Sequence, residues 1–289
     1  YKLKSFFKGK NVLITGHTGF KGSWLSLILH NFGANVYGYS LPLEKKDKNH
    51  FNLLNLKKLI NHNEGDVRDY LSLKRVFKKC KPDLIFHLAA QALVKKSYVN
   101  PSDTFSTNFL GSLNILELSR ISKSLKSLIY VTSDKCYENK EWIWGYREND
   151  QLGGHDPYSA SKSCAEMMFS SYMKSFFIDK KTIGTASVRA GNVIGGGDWS
   201  EDRIVPDCIN SIIKNDTIIL RNPNAVRPWQ HVLEPLNGYM VLSYHLYKDP
   251  SKFSGSWNFG PKESETLSVL NLTEFFINYF QSGKIKIEK

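Results

Sequence analysis

The chain is poor in cysteine and lacks a long hydrophobic run, and each absence excludes a class of protein. Its 289 residues include four cysteines, which lie far apart and form no CxxC pair. This spacing argues against a disulfide framework or a zinc site and suits a reducing cytosol. No apolar stretch approaches the ~18 residues of a membrane span, and the basic N-terminus lacks the apolar region of a signal peptide. We therefore predict a cytoplasmic protein without a metal site.

Acidic residues are in the minority: 27 Asp and Glu stand against 39 Lys and Arg, for a net charge of +12 at pH 7. The basic residues are scattered, and no zinc finger, basic helix or RNA-binding signature accompanies them. A nucleic-acid binder is therefore disfavoured, and a polyanionic ligand such as a nucleotide sugar suits the charge better. With 41% apolar and 23% charged residues, the chain is expected to bury a large globular core.

A glycine-rich turn follows the first apolar run. Residues 11–15 are predicted as a buried strand and residues 23–32 as a helix with one apolar face. Between them, Gly16 permits a tight turn, Gly19 lets the backbone approach a pyrophosphate, and Gly22 allows the helix to pack closely on its strand. The helix N-terminus would offer unpaired N–H groups to the phosphates. This order predicts a dinucleotide-binding unit, with a purely structural turn as the alternative.

Strand and helix patterns alternate over the first two thirds of the chain. The predicted strands include residues 11–15, 35–40, 83–90, 127–133 and 182–189. The alternation predicts an α/β fold, a right-handed, doubly wound parallel Rossmann sheet with a smaller α/β substrate-binding lobe. We place an NAD-binding domain at residues 1–189, to which later segments can return. The lobe is placed at residues 190–289 and is expected to be truncated at its C-terminus.

The second strand ends without the acidic residue that usually binds an adenosine ribose. Ser40 stands at that position, and the next acid along the chain is Glu44. Ribose recognition must then use a hydroxyl or backbone group, which leaves the choice between NAD and NADP open. Residues 44–59 are predicted as a loop with a short helix. Asp66 either accepts a hydrogen bond from the adenine amino group or caps the helix predicted at residues 70–79.

Tyr158 and Lys162 are four residues apart, a spacing that places two side chains on one face of a helix. A tyrosine titrates at about pH 10 and is a poor base at neutral pH. A lysine ammonium one turn away favours the phenolate. Such a pair can take a proton from a sugar hydroxyl while a nicotinamide takes the hydride. The alternative is an exposed Tyr and Lys on a surface helix.

A second polar group, Ser133, Asp134 and Lys135, ends the strand predicted at residues 127–133. Ligands bind at the C-terminal ends of strands in open α/β sheets, so these side chains should reach the same crevice as Tyr158. A solvated salt bridge between Asp134 and Lys135 is the alternative.

The preceding strand ends in small residues, Leu88, Ala89 and Ala90, which would pass close under the cofactor. Asn108, on a helix predicted at residues 104–122, is expected to brace the neighbouring strands.

Beyond Arg189 the chain becomes rich in glycine, arginine and aromatic residues. Arg203, Arg221 and Arg227 are suited to a bidentate grip on a diphosphate. An aromatic side chain could lie beside a pyrimidine ring, although most such residues pack in cores. The aromatic candidates are Trp199, Trp229 and Tyr239.

Several motifs together resemble the extended short-chain dehydrogenases/reductases that modify nucleotide sugars. They occupy residues 15–24, 87–91, 131–139, 157–162, 189–199 and 227–232. The resemblance runs from about residue 8 to residue 272. Within this group the chain is most similar to the CDP-glucose 4,6-dehydratases, because Lys135 follows Asp134 where related dehydratases have a glutamate.

This resemblance implies NAD as cofactor, CDP-glucose as substrate, and a homodimer or higher homo-oligomer that pairs the Tyr158 helix with the helix at residues 104–122. It also implies a place in deoxysugar biosynthesis for lipopolysaccharide O-antigen. The implied catalytic residues are Ser133, Asp134, Lys135, Tyr158 and Lys162. The implied cofactor-binding residues are Gly16, His17, Thr18, Gly19, Phe20, Gly22, Ser40, Asp66, Val67, Leu88, Ala89, Ala90, Tyr158 and Lys162. The implied substrate-binding residues are Gln91, Asn192, Trp199, Arg203, Arg221, Arg227 and His231.

The implied reaction oxidises C4 of the glucosyl ring, eliminates water across C5 and C6, and returns the hydride to C6. Asp134 would protonate the leaving hydroxyl, and Lys135 would act at C5, either as the base, made neutral by burial or by Lys162, or through a relay. A 4-epimerase shares Tyr158 and Lys162 but has no use for an acid at residue 134. A catalytically idle Rossmann module is a further alternative, against which the intact set of Ser133, Tyr158 and Lys162 argues.

Overall fold

The structure, a computed structural model, describes residues 2–43, 49–178, 183–200, 202–262 and 266–288. The chain divides into two compact units. Unit 1 comprises Tyr1–Ala190 and Leu233–Phe259, and unit 2 comprises Gly191–Val232 and Gly260–Lys289. The predicted lobe at residues 190–289 is therefore interrupted, because residues 233–259 return to the first unit. Among the described residues, no helix combines the length and apolar character needed to cross a bilayer.

Unit 1 is built on a seven-stranded sheet in the order β11-β6-β5-β4-β1-β2-β3. Its strands are β1 Asn11–Thr15, β2 Asn35–Ser40, β3 Asn61–Glu64, β4 Leu84–His87, β5 Ser127–Val131, β6 Gly184–Ala190 and β11 Gly255–Phe259. Every neighbouring pair is parallel, with Val12 opposite both Val36 and Leu84, for example. The predicted doubly wound parallel Rossmann sheet is confirmed.

Helices connect the strands of unit 1. They are α1 Leu3–Phe7, α2 Phe20–Asn31, α3 His50–Leu53, α4 Tyr70–Cys80, α5 Val94–Val99, α6 Pro101–Phe105, α7 Gly111–Ile121, α8 Pro157–Tyr172, α10 Leu233–Lys248 and α11 Pro250–Phe253. A π-helical segment, Ser106–Leu110, joins α6 to α7, and another, Met173–Phe177, extends α8. Single 3₁₀ turns occur at Leu56–Lys58 and Asp134–Cys136.

The central strands of the parallel sheet are continuous buried runs rather than alternating ones, as expected for a sheet covered by helices on both faces. All four residues of β4 and all seven of β6 are buried. The core around β1, β4 and β5 joins Leu13, Ile85 and Leu128 to side chains of α7 and α8 such as Leu116 and Phe169. Burial of such side chains stabilises the fold by about 1.5–3 kcal/mol each.

Unit 2 contains shorter elements around its own small core. Its helices are α9 Ile204–Lys214 and α12 Val269–Phe280, and its strands are β7 Val193–Ile194, β8 Thr217–Leu220, β9 Val226–Arg227, β10 Gln230–His231, β12 Leu267–Ser268 and β13 Lys284–Ile287. β8 pairs in parallel with β13, and Cys208, Ile218 and Leu220 form the buried centre between α9 and α12.

The structure corrects several predicted boundaries. The helix predicted at residues 23–32 begins three residues earlier, at Phe20, and the helix predicted at 104–122 is α6, a π segment and α7 in succession. The predicted strand at 83–90 is only Leu84–His87. The starts of the loop predicted at 44–59 and of the strand predicted at 182–189 lie outside the described residues.

Candidate active site

The turn between β1 and α2 is shaped by glycines whose side-chain positions are occupied by backbone. Gly16 adopts φ +73°, and a Cβ there would lie 2.7 Å from the backbone N of Ala89 at the end of β4. A Cβ on Gly22 would overlap the carbonyl oxygen of Gly16. Gly16 therefore requires glycine both for conformation and for close approach, and Gly22 requires it for close approach.

The exposed edge of this turn fits a dinucleotide phosphate. Gly19 is solvent-exposed and precedes the first residue of α2, so its missing side chain leaves the helix N-terminus open. The first amides of a helix have no intrahelical partner and carry the positive end of its dipole, which favours an anion. Phe20 begins the helix and is half-buried. The glycine cradle thus fits the group that the sequence analysis assigns to it.

Polar side chains of the turn are engaged with β2 and β3. The hydroxyl groups of Thr18 and Ser40 lie 2.7 Å apart in a buried hydrogen bond. His17 Nε2 lies 2.7 Å from His62 Nδ1, and the His17 ring packs over Gly38 of β2. Burial, followed by the nearby His62, lowers the pKa of His17 to about 3. His17 is therefore neutral at physiological pH.

Asp66 does not cap α4. That position belongs to Asp69, whose carboxylate accepts the backbone N–H of Ser72 at 3.0 Å. Asp66 instead accepts three guanidinium hydrogen bonds from Arg68, at 2.5–3.0 Å, and these hold the pKa of its carboxyl below the usual range despite partial burial. Val67 beside it is buried in the core. The predicted alternative of Asp66 as a helix cap is thus wrong, because the five residues 65–69 separate β3 from α4 and Asp66 lies three residues before the cap.

The segment after β4 carries the small residues predicted to run under a cofactor. Leu88, Ala89 and Ala90 are all partly buried. Asn108 was expected to brace the strands, but it holds Gln91, the residue after Ala90. Its side chain accepts the backbone N–H of Gln91 at 2.8 Å and donates to the carbonyl of Gln91 at 3.0 Å. It also donates to the Ser161 hydroxyl at 2.8 Å.

The side chain of Gln91 is occupied within the protein. Its amide N–H groups donate to Leu93 O at 3.0 Å and to the Thr104 hydroxyl at 2.9 Å, and its carbonyl accepts the Leu93 N–H at 2.7 Å. The residue is 7% exposed. The structure therefore gives Gln91 the task of holding the loop after β4, and not the substrate contact expected from the sequence.

Helix α8 presents Tyr158 and Lys162 from its first turns. Asp156 caps the helix by accepting the Ser159 N–H at 3.0 Å, and Pro157 supplies a fixed φ at the first helical position. Tyr158 is 8% and Lys162 5% exposed, so both belong to the wall of the unit and not to its surface. The alternative of an exposed Tyr and Lys is thereby excluded.

The Lys162 ammonium lies 3.5 Å from the carbonyl oxygen of Val131, the last residue of β5. Burial, then the positive charge of Lys21 at the start of α2, lowers the pKa of Lys162 to about 8, while Glu166 opposes the shift. The lysine is still largely protonated at pH 7, so it can favour the phenolate of Tyr158.

The turn after β5 brings Ser133, Asp134 and Lys135 to the edge of the sheet. The Ser133 hydroxyl donates to Asp134 Oδ1 at 3.0 Å and accepts the Lys135 N–H at 3.2 Å. Ser163 of α8 donates to the carbonyl of Cys136 at 2.7 Å, so the helix of Tyr158 and Lys162 is attached directly to this turn. The two groups predicted to share one crevice are therefore brought together within unit 1.

Lys135 differs from expectation in its environment. Its side chain is exposed, whereas burial was one of the two causes, with the nearby Lys162, that were expected to favour a neutral amine. Asp134 beside it is half-buried.

The remaining predicted substrate residues lie in unit 2. Arg203 donates to Asp198 at 2.8 Å, Arg221 lies 3.5 Å from Asp202, and Arg227 donates to the carbonyl of Val226 at 2.8 Å. The guanidinium groups of Arg203 and Arg221 thus already face carboxylates. Trp199 is 40% exposed, His231 lies exposed on β10, and Asn192 O accepts the Gln230 N–H at 3.0 Å.

Of the other aromatic candidates, Tyr239 is fully buried in α10, where it packs edge-on against Phe259 of β11. Tyr239 belongs to the core of unit 1, and its ring is therefore not available to lie beside a pyrimidine ring. Trp229 donates its indole N–H to Leu267 O at 3.0 Å within unit 2.

Comparison with known proteins decides the family. The model of the family described as GDP-mannose 4,6 dehydratase matches residues 13–251. The chain belongs to this family. A CDP-glucose 4,6-dehydratase of Salmonella typhimurium is 49% identical over 270 residues, which are 92% of this chain and 75% of that protein.

Solved structures agree on the fold of this GDP-mannose 4,6-dehydratase family member. An epimerase from Methanothermobacter thermautotrophicus superposes with a TM-score of 0.86 at 22% identity, over 99% of this chain and 82% of that one. A dTDP-glucose 4,6-dehydratase from Bacillus anthracis, solved in complex with NAD, gives a TM-score of 0.80 at 19% identity, over 97% and 84% of the two chains.

One buried pair of charged side chains near the Ser133 turn was not predicted from the sequence. Glu166 and Arg189 form a fully buried ion pair, 2.7 Å long, directly behind the Ser133 turn. Two signals point to it: Glu166 is four residues beyond Lys162 on the same helix face, and Arg189 is a charged residue within a buried strand.

Proposed function

We propose that this protein binds NAD and converts CDP-glucose to CDP-4-dehydro-6-deoxyglucose by eliminating water. The observation that carries the proposal is the attachment of α8, with Tyr158 and Lys162, to the turn of Ser133, Asp134 and Lys135 through Ser163. The residues assigned to oxidation, Tyr158 and Lys162, and those assigned to elimination, Asp134 and Lys135, then lie close enough to act on the same sugar. The 49% identity to the Salmonella typhimurium CDP-glucose 4,6-dehydratase supports the reaction and its nucleotide.

The glycine-rich turn is the proposed holder of the cofactor. Gly16, Gly19 and Gly22 leave room for the pyrophosphate at the N-terminus of α2, and the Bacillus anthracis relative of the same fold holds NAD. NAD, when bound, accepts the hydride of C4 and returns it at C6. The remaining proposed contacts come from side chains and backbone around the ends of β1 to β4: His17, Thr18, Phe20, Ser40, Asp66, Val67, Leu88, Ala89 and Ala90.

Oxidation at C4 is assigned to α8. The Lys162 ammonium stabilises the phenolate form of Tyr158, which takes the proton of the C4 hydroxyl and becomes the neutral phenol. Ser133 donates a hydrogen bond to the developing carbonyl oxygen, for which its hydroxyl must turn away from Asp134 Oδ1, its acceptor at 3.0 Å. The ketone so formed makes the C5 proton acidic.

Elimination is assigned to the turn after β5. Asp134 gives a proton to the leaving C6 hydroxyl, and Lys135 removes the C5 proton or relays it. A proton returns to C5 when C6 accepts the hydride, which completes the 4-dehydro-6-deoxy sugar. The nucleotide is assigned to unit 2, where Asn192, Trp199, Arg203, Arg221, Arg227 and His231 are the proposed contacts.

We propose a homodimer through an apolar face of unit 1. Phe105, Phe109 and Leu110, at the junction of α6 and α7, are 36–42% exposed, and Met167 of α8 is 55% exposed. Exposed apolar side chains on two adjacent helices suit a two-fold contact that forms a four-helix interface. All four cysteines are unpaired, which supports a reducing cytoplasm as its location. The 6-deoxy product of the proposed reaction is what supports a role in deoxysugar biosynthesis.

The test is incubation of the purified protein with CDP-glucose and NAD⁺, with products measured by mass. Loss of one water without net formation of NADH supports the dehydratase and its internal redox cycle. An unchanged mass with inversion at C4 would establish the 4-epimerase instead.

An Asp134→Asn variant separates the two chemistries. We expect C4 oxidation to survive while elimination falls by about 10²–10⁴-fold, because the amide cannot protonate the leaving hydroxyl. Asp198→Asn, a matched change at an aspartate of unit 2, should leave the ratio of the two steps unchanged. Equal loss of both steps in Asp134→Asn would contradict the assigned role.

A further inference from the structure

The Glu166–Arg189 pair is buried to an extent unusual for charged residues. The two side chains are 1% and 4% exposed, and Arg189 Nη2 donates to Glu166 Oε2 at 2.7 Å. Ser187 donates to the same carboxylate oxygen at 2.9 Å. Paired carboxylate and guanidinium groups of this kind are weak evidence for stability, since apolar residues of similar size often replace them without loss. Stability alone therefore does not account for the burial of this pair.

Both ends of the turn that carries Asp134 and Lys135 are attached to this pair. At the start of the turn, the Thr132 hydroxyl donates to Glu166 Oε1 in a short hydrogen bond. At its end, Arg189 Nη1 donates to the Tyr137 hydroxyl at 2.6 Å, and the guanidinium lies over the Tyr137 ring, 5.0 Å from its centre. The ion pair thus brackets residues 133–136.

The pair also belongs to the helix that carries Tyr158 and Lys162. Glu166 is one turn beyond Lys162 on α8, and its charge opposes the burial that lowers the lysine pKa to about 8. Arg189, on β6, donates as well to the carbonyl of Glu148 at 2.9 Å, which ties down the loop that follows the turn. One pair of side chains therefore contacts the turn, the helix and the loop.

Tyr158 and Lys162 have supports that do not depend on the pair. Asp156 caps α8, Asn108 donates to Ser161 at 2.8 Å, and Lys162 itself reaches Val131 O. The turn is held as well by Ser163 and the Gly153 N–H at Cys136 O, by the Thr132 N–H on Val188 O at 3.0 Å, and by Asn258, which accepts the Tyr137 hydroxyl at 2.7 Å. The pair is what joins Thr132 at the start of the turn to Tyr137 at its end. Loss of the pair should then loosen the turn more than the helix.

We propose that Glu166 and Arg189 are positioning residues that hold Asp134 and Lys135 in register with Tyr158 and Lys162, so that elimination follows oxidation on the same sugar. The inference rests on the proposed dehydration and deepens it. Neither side chain touches substrate. A displacement of the turn by about 1 Å is enough to slow a proton transfer by about 10²-fold, while hydride transfer beside α8 proceeds.

The decisive variant is the double substitution Glu166→Leu with Arg189→Met. It removes both charges together, and the freed hydroxyls keep other partners: Thr132 has Val188 O at 3.3 Å, Ser187 has Ser256 at 2.9 Å, and Tyr137 has Asn258. It should therefore fold with a melting temperature close to that of the wild type. Glu166→Gln alone, which leaves Arg189 buried and unpaired, serves as the second variant and should be less stable.

The matched control is Glu117→Leu with Arg120→Met. This pair has the same residue types at the same 2.7 Å distance, but it is about one third exposed on α7, and outside the pair Glu117 accepts the hydroxyl of Tyr172, at the C-terminal end of α8. Single-turnover reactions with CDP-glucose would follow C4 oxidation by cofactor absorbance and elimination by water loss. Amide exchange of residues 132–137 would be measured in the protein without substrate.

We expect the Glu166–Arg189 double variant to lower elimination relative to oxidation by about tenfold or more, and to speed amide exchange of the turn by a similar factor. The control should change neither. If the double variant is stable and keeps the wild-type ratio of steps, the inference is overturned while the dehydratase assignment stands. If the wild type itself releases no water from CDP-glucose, the proposed function fails and the inference falls with it.

Discussion

Two turns at strand ends in unit 1 are held in different ways. The turn of residues 16–22, after β1, is held by shape: Gly16 and Gly22 leave no room for side chains between backbone segments. The turn of residues 132–137, after β5, is held by charge, through Thr132 and Tyr137 on the buried Glu166–Arg189 pair.

The difference follows from what each turn must do. A phosphate-binding turn offers backbone N–H groups, so side chains would only obstruct it. A turn that transfers protons must present side chains of its own, and these need orienting from behind by other polar groups. We expect a single added methyl group to cause a large loss of stability in the first turn. In the second turn, each hydrogen bond that is removed should cause a smaller loss.

The largest effect is expected for Gly22→Ala. The added methyl group would overlap the Gly16 carbonyl oxygen, so the backbone of the turn must move, at a cost of about 3 kcal/mol or more in stability, and NAD binding should be lost. Thermal unfolding and a cofactor titration would measure both. Gly260→Ala is the matched control, because a Cβ there meets nothing within 4 Å. Unchanged NAD affinity in Gly22→Ala would contradict a shape-held turn.

Acid should destabilise the shape-held turn next. Burial lowers the pKa of both His17 and His87 to about 3, so they stay neutral in the folded protein while the unfolded chain takes up protons below about pH 6.5. Their contribution is complete above the unfolded pKa and is lost as the pH falls towards 3. The free energy of unfolding should drop by about 1.4 kcal/mol per pH unit for each histidine.

Urea unfolding between pH 7 and 5 measures this slope. In His17→Asn the slope of unfolding free energy against pH should be smaller by the contribution of one histidine, about 1.4 kcal/mol per pH unit. An identical slope in the variant and the wild type would contradict the burial of a neutral His17.

A smaller effect is expected for Tyr137→Phe in the charge-held turn. It removes the hydroxyl that joins Arg189 to Asn258, but Arg189 keeps Glu166 and Glu148 O. We expect a loss of about 1–2 kcal/mol in unfolding free energy. Tyr146→Phe, which removes a phenol bonded at an exposed site, should lose less than about 0.5 kcal/mol. Equal losses of unfolding free energy in the two variants would mean that the buried Tyr137 hydroxyl contributes no more to stability than the exposed one.

The smallest effect links the start of α2 to α8. After burial, the charge of Lys21, the second residue of α2, is a cause of the lowered pKa of Lys162. Since Lys162 must be protonated to assist Tyr158, kcat/KM should fall above about pH 8. Lys21→Gln removes a positive charge and should move this alkaline limb upward by roughly half a pH unit. Lys74→Gln on α4 is the control, and a limb that stays in place in both variants would argue against the coupling.

Much of the candidate site could be predicted because its signals are local. The strands at 11–15 and 35–40, the glycine spacing and the Tyr158–Lys162 spacing each lie within a few residues, and the structure confirms their local geometry. The exposure of Lys135 could not be predicted because exposure depends on neighbours distant in sequence. The hydrogen bond of Gln91 to Thr104 could not be predicted because Thr104 belongs to a different element.

The sequence by itself determined the order of elements, the Rossmann architecture and the family, since periodicity and short motifs need no knowledge of distant contacts. Only the tertiary structure decided that β11 returns to pair with β6, that Asp69 and not Asp66 caps α4, and that Arg189 meets Glu166. Tyr137 and Asn258, which hydrogen-bond in the same network, are 121 residues apart. Such pairings depend on the packing of whole elements, which no local pattern records.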